Sequence, residues 1–359
     1  MNKLFLVKKS VHFMKKKKVI CIGEALIDRI RNKSNQGFTD FLGGAPANVA
    51  CALRKLKIDS TFIGSLGNDD YGNKFISQFN QLGVNLDFLQ LSNDSSTRVV
   101  NVDRDKFGDR FFSGFENSSH SRFADEILSK KLIEKKISNL EKFFLETKYL
   151  VMGTILLSSP MSAETIFFLL EQAKKFEVKI VIDLNWREVF WDHSSFSSEI
   201  SKAERENLIK KFLNYANVLK LAKEEATLFF EDENPLLISQ QLSNKPDVII
   251  TNGKNPVEWY INGLQGITET LNSEKIVDTT GAGDAFLAGL ISKLISSGYP
   301  SNKVEIEDCI KFAGVCGLLT CLGEGAIEQQ PYYEKVNKFL GSLISVSYTH
   351  LTLPTKRNV

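Results

Sequence analysis

The chain has 359 residues, of which 43% are hydrophobic and 25% charged, the proportions of a globular protein with a large buried core. Its 45 basic and 43 acidic residues leave a formal net charge of +2, which provides neither the electrostatic footprint of a nucleic-acid binder nor a basic face for a membrane surface. No apolar run reaches membrane-spanning length, and the five cysteines form no metal-ligand repeat with the four histidines, so a cytoplasmic protein with free, buried thiols and no structural zinc is expected.

In chain order, the opening MNKLFLVKKSVHF carries a short apolar patch between lysines but lacks a signal-type hydrophobic region and cleavage site. Met14 and a run of four lysines stand directly before the first strand, so residues 1–13 read as an upstream extension and 14–345 as the folded domain. Residues 19–23, VICIG, form an unbroken apolar run of the buried-strand kind, and the type recurs at 60–63, 149–152, 179–182, 218–221 and 247–250. Helix-length amphipathic segments such as 163–176 and 203–215 separate most of them, which predicts an α/β fold with a mostly parallel central sheet covered on both faces. Two places break the alternation, residues 26–42 and 97–117. The second, TRVVNVDRDKFGDRFFSGFEN, has a turn signal at 106–109 between β-rich arms and predicts a hairpin. A small β layer outside the main sheet would act as a lid over a cleft. With no internal repeat and no low-complexity linker, the expectation is one catalytic domain with a lid.

Three glycine-bearing stretches carry chemistry. In FLGGAPANVACAL, residues 41–53, Gly43 and Gly44 end an extended segment, Pro46 and Ala47 open a helix, and Asn48 lies on its first turn. Exposed backbone and an amide side chain there suit sugar hydroxyls; the alternative is an ordinary helix start with Asn48 exposed or bonded to backbone. FIGSLGNDDYG, residues 62–72, is a strand ending in a turn, and turn chemistry alone accounts for Asp69, Asp70 and Gly72. In DTTGAGD, residues 278–284, the apolar spacing of Leu287, Leu290, Ile291, Leu294 and Ile295 places a helix start within the glycines. Unpaired amides and the positive end of a helix dipole make that start an anion cradle. Asp284 beside it fits a general base that draws the proton from an acceptor hydroxyl, the alternative being a carboxylate that merely favours its own helix start.

Taken together, GGAPANVA and DTTGAGDAF resemble the paired signatures of the ribokinase-like sugar kinases, the PfkB family, over residues 18–340. GEALIDRI, FIGSLGNDDYG and VIDLNWREVFW resemble its fructokinase branch most. The resemblance implies a ribokinase-like three-layer sandwich with a small β lid, transferring the γ-phosphoryl group of ATP to a sugar hydroxyl. It implies Asp284 as catalytic base, the amides of Gly281, Ala282 and Gly283 as anion hole, and sugar contacts at Asp28, Gly43, Gly44 and Asn48. Asn185 and Arg187, which follow the strand ending at Asp183, fall near the phosphates, where Arg187 suits a charged planar contact; its alternative is an ion pair with Glu188 or another carboxylate. Lys220 and Glu225 match a segment that organises Mg²⁺ with the phosphates, while Glu224 reads as solvated. Thr251 and Gly253 match nucleotide-binding positions, an ordinary strand-end turn being the alternative. Asp278 and Thr280, with carbonyls at Thr320, Gly323 and Gly325, match a monovalent-cation site suited to K⁺.

Departures from the family pattern are Lys57 for a turn glycine, Ala222 for a small polar residue, Gly314 for an asparagine beside the adenine, and the missing second glycine in TNGKNPVEW. These touch nucleotide selectivity more than phosphoryl transfer. Fructose is the expected acceptor, with ribose, 2-keto-3-deoxygluconate and adenosine as rivals, and a catalytically silent binding subunit as the rival from another class. No aromatic cluster clearly demands a nucleoside, although Phe38, Phe41 and Phe112 are within reach. Expected partners are a small-molecule sugar and ATP, with a homodimer through the lid as the oligomer considered. The closing VSYTHLTLPTKRNV, residues 346–359, continues no pattern of the preceding segment and resembles adapter read-through, so a non-native tail is expected.

Overall fold

A computed structural model describes residues 17–32, 37–104, 110–116, 122–192 and 201–350. Its strands are β1 (Lys18–Ile22), β2 (Leu26–Arg31), β3 (Phe38–Gly43), β4 (Ser60–Ile63), β5 (Ser65–Gly67), β6 (Gln90–Ser92), β7 (Val99–Arg104), β8 (Arg110–Phe115), β9 (Thr147–Met152), β10 (Lys179–Asp183), β11 (Val218–Ala222), β12 (Asp247–Asn252), β13 (Asn255–Ile261) and β14 (Leu264–Thr268). The apolar runs read from the sequence become the parallel centre of an eight-stranded sheet, ordered β14-β13-β12-β11-β10-β9-β1-β4. Two antiparallel strands, β13 and β14, extend one edge. Nothing in the apolar runs announced that hairpin, whose strands alternate in burial because one side faces water.

The central strands are apolar throughout because each side of the sheet carries helices. Val19, Cys21 and Val151 pack with residues of the helices Ala45–Lys55, Ala282–Ser296 and Lys303–Thr320. Their strand neighbours Ile20, Ile22, Leu150 and Met152 point the opposite way, into a second core under the helices Ile137–Glu146, Pro160–Lys175 and Lys202–Leu213. All five cysteines are free and buried. Among the described residues, no helix is long and apolar enough to cross a membrane.

The segments that broke the alternation form a separate four-stranded sheet, β3-β2-β7-β8. Strands β7 and β8 pair antiparallel as hairpin arms; the turn at 106–109 lies outside the described residues. On β2, Leu26, Asp28 and Ile30 face a cleft over the main sheet, and Arg29 on the other side is paired with Asp40 of β3 at 2.8 and 2.9 Å. Tyr71, on the helix Asp70–Leu82, donates to the same Asp40 at 2.5 Å and so joins the small sheet to the main body. Near the start of β7, the buried Arg98 pairs with Asp125 at 2.8 Å and Glu126 at 3.1 Å beneath the rings of Phe115, Phe123 and Phe190. Asp69 behaves as turn chemistry dictates: it caps the helix Asp70–Leu82 by accepting from the Gly72 amide and also accepts from the Thr97 amide.

One local reading changes. The helix Tyr333–His350 runs five residues into the closing segment expected to lie outside the fold, since no glycine or proline interrupts 346–350 and the first proline is Pro354. Residues 1–13 and 351–359 lie outside the described residues. Lys57 adopts φ 64°, the left-handed region, just after the helix Ala45–Lys55, which explains why a glycine suits this turn. Its exposed ion pair with Glu334 offsets little of the strain. Lys57→Gly is therefore expected to raise stability by about 0.5–1 kcal/mol, read as a Tm increase of about 1–2 °C in thermal unfolding; a fall in Tm would contradict the strained-turn account.

Candidate active site

The helix Ala282–Ser296 begins at Gly281, which has φ 75° and no room for a side chain: a Cβ there would sit 2.6 Å from the Ala326 Cβ. This close approach forces the backbone to turn inward and presents the first-turn amides to a cavity. Among the described residues the amides of Gly281 and Gly283 make no hydrogen bond, whereas that of Ala282 reaches the Thr279 carbonyl at 3.2 Å. The expected three-amide cradle is thus two open amides and one closing a tight turn at the helix start.

Asp284 follows on the first turn and accepts a 2.8 Å hydrogen bond from the Asn48 side-chain amide. Asn48 is buried on the first turn of the helix Ala45–Lys55; among the described residues its side chain makes no bond to backbone, and its Oδ1 is a buried acceptor with no hydrogen-bond partner. Burial pushes the Asp284 carboxyl up to about 6, with the Asp183 charge adding to the rise, while the Asn48 hydrogen bond, Lys220 and Arg187 oppose it. Asp284 is therefore a carboxylate at neutral pH with raised basicity.

Behind it, at the carboxyl ends of β10 and β11, the Lys220 ammonium is held by both oxygens of Asp183, at 3.0 and 2.9 Å. Burial alone would lower its pKa, but Asp183, Glu225 and Asp284 hold it above the ordinary value, so it stays charged. Its Nζ lies 3.2 Å from where a Cβ of Gly283 would be, directly beside the helix start. Glu225 accepts from the Trp186 amide at 2.6 Å and the Ala222 amide at 2.7 Å, reaching back to cap its own helix; burial and the Asp183 charge raise its pKa. Ala222 cannot return the cap, so Glu225 alone fixes that helix start. Asn185 takes the left-handed φ of 41°, and the exposed Arg187 donates to the Trp186 carbonyl and makes no ion pair among the described residues. Glu24, just past β1, went unassigned in the sequence although its strand-end position was a signal. It forms part of the cavity wall, accepts from the Ala45 amide at 3.0 Å, and is pushed up to about 8 by burial.

These groups line a cavity of about 570 Å³ together with Asp28, Gly44, Val100, Phe112, Ile155 and Phe190. Gly43 packs directly against Asp28 of that lining, since a Cβ there would meet the Asp28 carboxylate at 2.3 Å. Of the aromatic residues within reach, Phe112 lines the cavity, Phe41 packs near Gly325, and Phe38 is exposed with Arg31 over its ring. A second cavity of about 730 Å³, more apolar, is bounded by Thr251, Gly253, Leu271, Ile276, Phe286, Gly314 and Leu318. Thr251 donates to the Leu221 carbonyl at 3.3 Å. The two cavities share Thr251, Thr279 and Gly283, so they meet at the glycine helix start.

Of the expected cation residues, hydrogen bonds join Asp278, Thr280 and Gly325. Asp278 accepts from the Thr280 amide and hydroxyl, at 3.1 and 2.8 Å, and from the Gly325 amide at 3.1 Å. Thr320 gives its buried hydroxyl to the Cys316 carbonyl within its own helix, a bond that does not involve the Thr320 carbonyl expected at the site, and Gly323 lies against the Gln329 side chain. The serine- or threonine-type back-bond of Thr320 is a helix-internal preference that its position in the sequence did not reveal.

A model described as pfkB family carbohydrate kinase matches residues 16–332. The chain belongs to the pfkB family of carbohydrate kinases. Among curated relatives of this carbohydrate kinase, a fructokinase of Vibrio alginolyticus is 30% identical over 89% of this chain and 97% of its own, and a fructokinase of Salmonella typhimurium is 29% identical over 89% and 98%. The fold is that of a fructokinase from Xylella fastidiosa with bound ATP, at TM-score 0.79 and 24% identity, covering 91% of this chain and 99% of that one. A Vibrio cholerae fructokinase structure with fructose, ADP and calcium ion bound aligns at TM-score 0.75 and 26% identity over the same shares.

The geometry of the kinase's helix start gives a stability test. Gly281→Ala adds a methyl against Ala326 in a left-handed backbone and is expected to destabilise the fold by about 2 kcal/mol or more, measured by denaturant unfolding; a neutral substitution would mean that the close approach does not exist.

Proposed function

We propose that this carbohydrate kinase transfers the γ-phosphoryl group of ATP to fructose, giving fructose 6-phosphate, with Asp284 as the general base. The observation that carries the reading is the meeting of two cavities at the start of the helix Ala282–Ser296, where Asp284 is oriented by Asn48. The smaller, acid-lined cavity suits a polyol: Asp28 offers a carboxylate, Asn48 an acceptor without a partner, and Gly43 and Gly44 an uncluttered backbone. The larger, apolar cavity suits a purine base, with Thr251 and Gly253 at its edge. Between them, the amides of Gly281 and Gly283 and the charge of Lys220 face the place where a transferring phosphoryl group must pass. Asn185 and Arg187 flank the same passage.

In this reading Asp284 removes the proton of the acceptor hydroxyl as its oxygen attacks phosphorus, and the open amides hold the equatorial oxygens. The small sheet β3-β2-β7-β8 closes over the sugar and keeps ATP from water until an acceptor is in place. Asp28 then holds hydroxyls away from the reacting one.

Two ions belong to the proposal. Among the described residues no group of three or more His, Cys, Asp or Glu is arranged to hold a metal, and both Glu225 oxygens already accept from amides. That donor set fits Mg²⁺ carried mainly by phosphates and water, with Glu225 and Lys220 ordering its surroundings. Bound there, Mg²⁺ would neutralise phosphate charge. Asp278 and Thr280 fit one half of a K⁺ site that would stiffen the glycine turn, and the carbonyls of Thr320, Gly323 and Gly325 would supply the other half, Gly325 being held to Asp278 through its amide.

Asp284→Asn is expected to retain the fold and ATP affinity while kcat falls by about 10²- to 10⁴-fold. Near-normal turnover would reduce Asp284 to a helix-start residue. Across fructose, ribose, 2-keto-3-deoxygluconate and adenosine, kcat/KM is expected to be highest for fructose. Another acceptor exceeding it about tenfold, or about 1.4 kcal/mol in transition-state binding, would replace the substrate while leaving the kinase reading intact.

A further inference from the structure

Lys55 is a buried lysine with no role in the chemistry described above. It ends the helix Ala45–Lys55 that carries Asn48, and it is only 6% exposed. Among the described residues its ammonium has no ion-pair partner. It donates instead to three main-chain carbonyls, of Ile327 at 2.5 Å, Gln330 at 3.1 Å and Glu328 at 3.4 Å, with the Tyr332 ring 5.4 Å away. A positive charge surrounded by carbonyl oxygens is the chemistry of a bound monovalent cation, here supplied by a side chain and therefore always present.

The segment it holds bears on the site at several points. Gly325 donates to Asp278, Ala326 packs against Gly281, and the buried Gln330 side chain donates to the Asn48 carbonyl at 3.0 Å. The helix bearing Asn48, the turn bearing Gly281 and the Asp278 carboxylate thus all rest on residues 325–330, and Lys55 fastens that segment to the Asn48 helix.

We propose that Lys55 is a positioning residue, a tethered cation that clamps residues 325–330 and thereby sets Asn48 and the Gly281 turn relative to Asp284. The inference rests on Asp284 and the glycine helix start being the place of phosphoryl transfer. Its effect falls on alignment in the transition state, so it acts on kcat more than on either KM. A lysine that served packing alone would be replaced by a methionine of similar length at little catalytic cost.

The test is steady-state kinetics of the full chain with its best sugar, ATP and Mg²⁺, alongside thermal unfolding. For Lys55→Met, kcat is expected to fall about tenfold or more with both KM values within about threefold, and Lys55→Arg to keep kcat within about threefold of wild type. In Lys55→Ala, n-propylammonium is expected to restore part of the lost kcat at fixed ionic strength, and tetramethylammonium, which has no N–H to donate, none. Gln330→Leu leaves Lys55 in place but removes the bond to the Asn48 carbonyl, and should lower kcat in the same way if Lys55→Met does not fold. Wild-type kcat in Lys55→Met or Gln330→Leu overturns the inference, as does an equal loss in the Met and Arg variants without rescue by propylammonium. A wild-type chain that turns over no acceptor overturns the reading beneath it, which distinguishes the two failures.

Discussion

A single hydrogen bond, from the Asn48 amide to the Asp284 carboxylate at 2.8 Å, joins two signatures that lie 236 residues apart in the chain. It can form because the helices Ala45–Lys55 and Ala282–Ser296 pack against each other on one face of the sheet, within a core to which both contribute small buried residues, among them Ala47, Ala50, Ala285 and Ala288. The bond does two things at once. It orients a carboxylate that burial makes more basic, and it keeps that carboxylate ionised by favouring the charged form.

The remaining charges are arranged around the same point by the parallel sheet. Because β1, β10, β11 and β12 run in one direction, Glu24, Asp183, Ala222 and Thr251 arrive at one edge, where the loops after the strands face the helix start. Five acids line the cavity, Glu24, Asp28, Asp183, Glu225 and Asp284, and like charges this close cannot all stay ionised without compensation. The structure separates them by environment: Asp183 is neutralised by Lys220, Glu225 is held by two amides, and Glu24 is pushed toward its neutral form. Asp284 is a carboxylate of raised basicity that faces the passage between the cavities. Division of labour by local environment is how one site holds both anions and a base.

The sheet was legible because strands buried on both faces must be apolar throughout, and 60–63 coincides with β4. The helix start at DTTGAGD was legible because periodicity fixed where the apolar stripe began. What escaped were individual contacts. Lys55 reaching carbonyls more than 270 residues away has no local pattern, whereas Ala282 turning its amide onto Thr279 and Thr320 bonding within its helix are local choices that residue type alone does not announce. The edge hairpin of β13 and β14 was missed for a different reason, since strands wetted on one side lack the continuous apolar run that identified the others.

The account's central claim is that Asp284 acts as a base whose strength is set by burial and by Asn48. The most direct measurement is kcat/KM for the best sugar against pH, which reports groups of the free enzyme. In wild type the acid limb is expected near pH 6, with activity lost as pH falls because the base is then protonated. In Asn48→Leu the limb should move to higher pH, because the hydrogen bond that lowers the Asp284 pKa is gone. A profile flat from about pH 5 to 8, or a limb that stays in place in the variant, would contradict the claim.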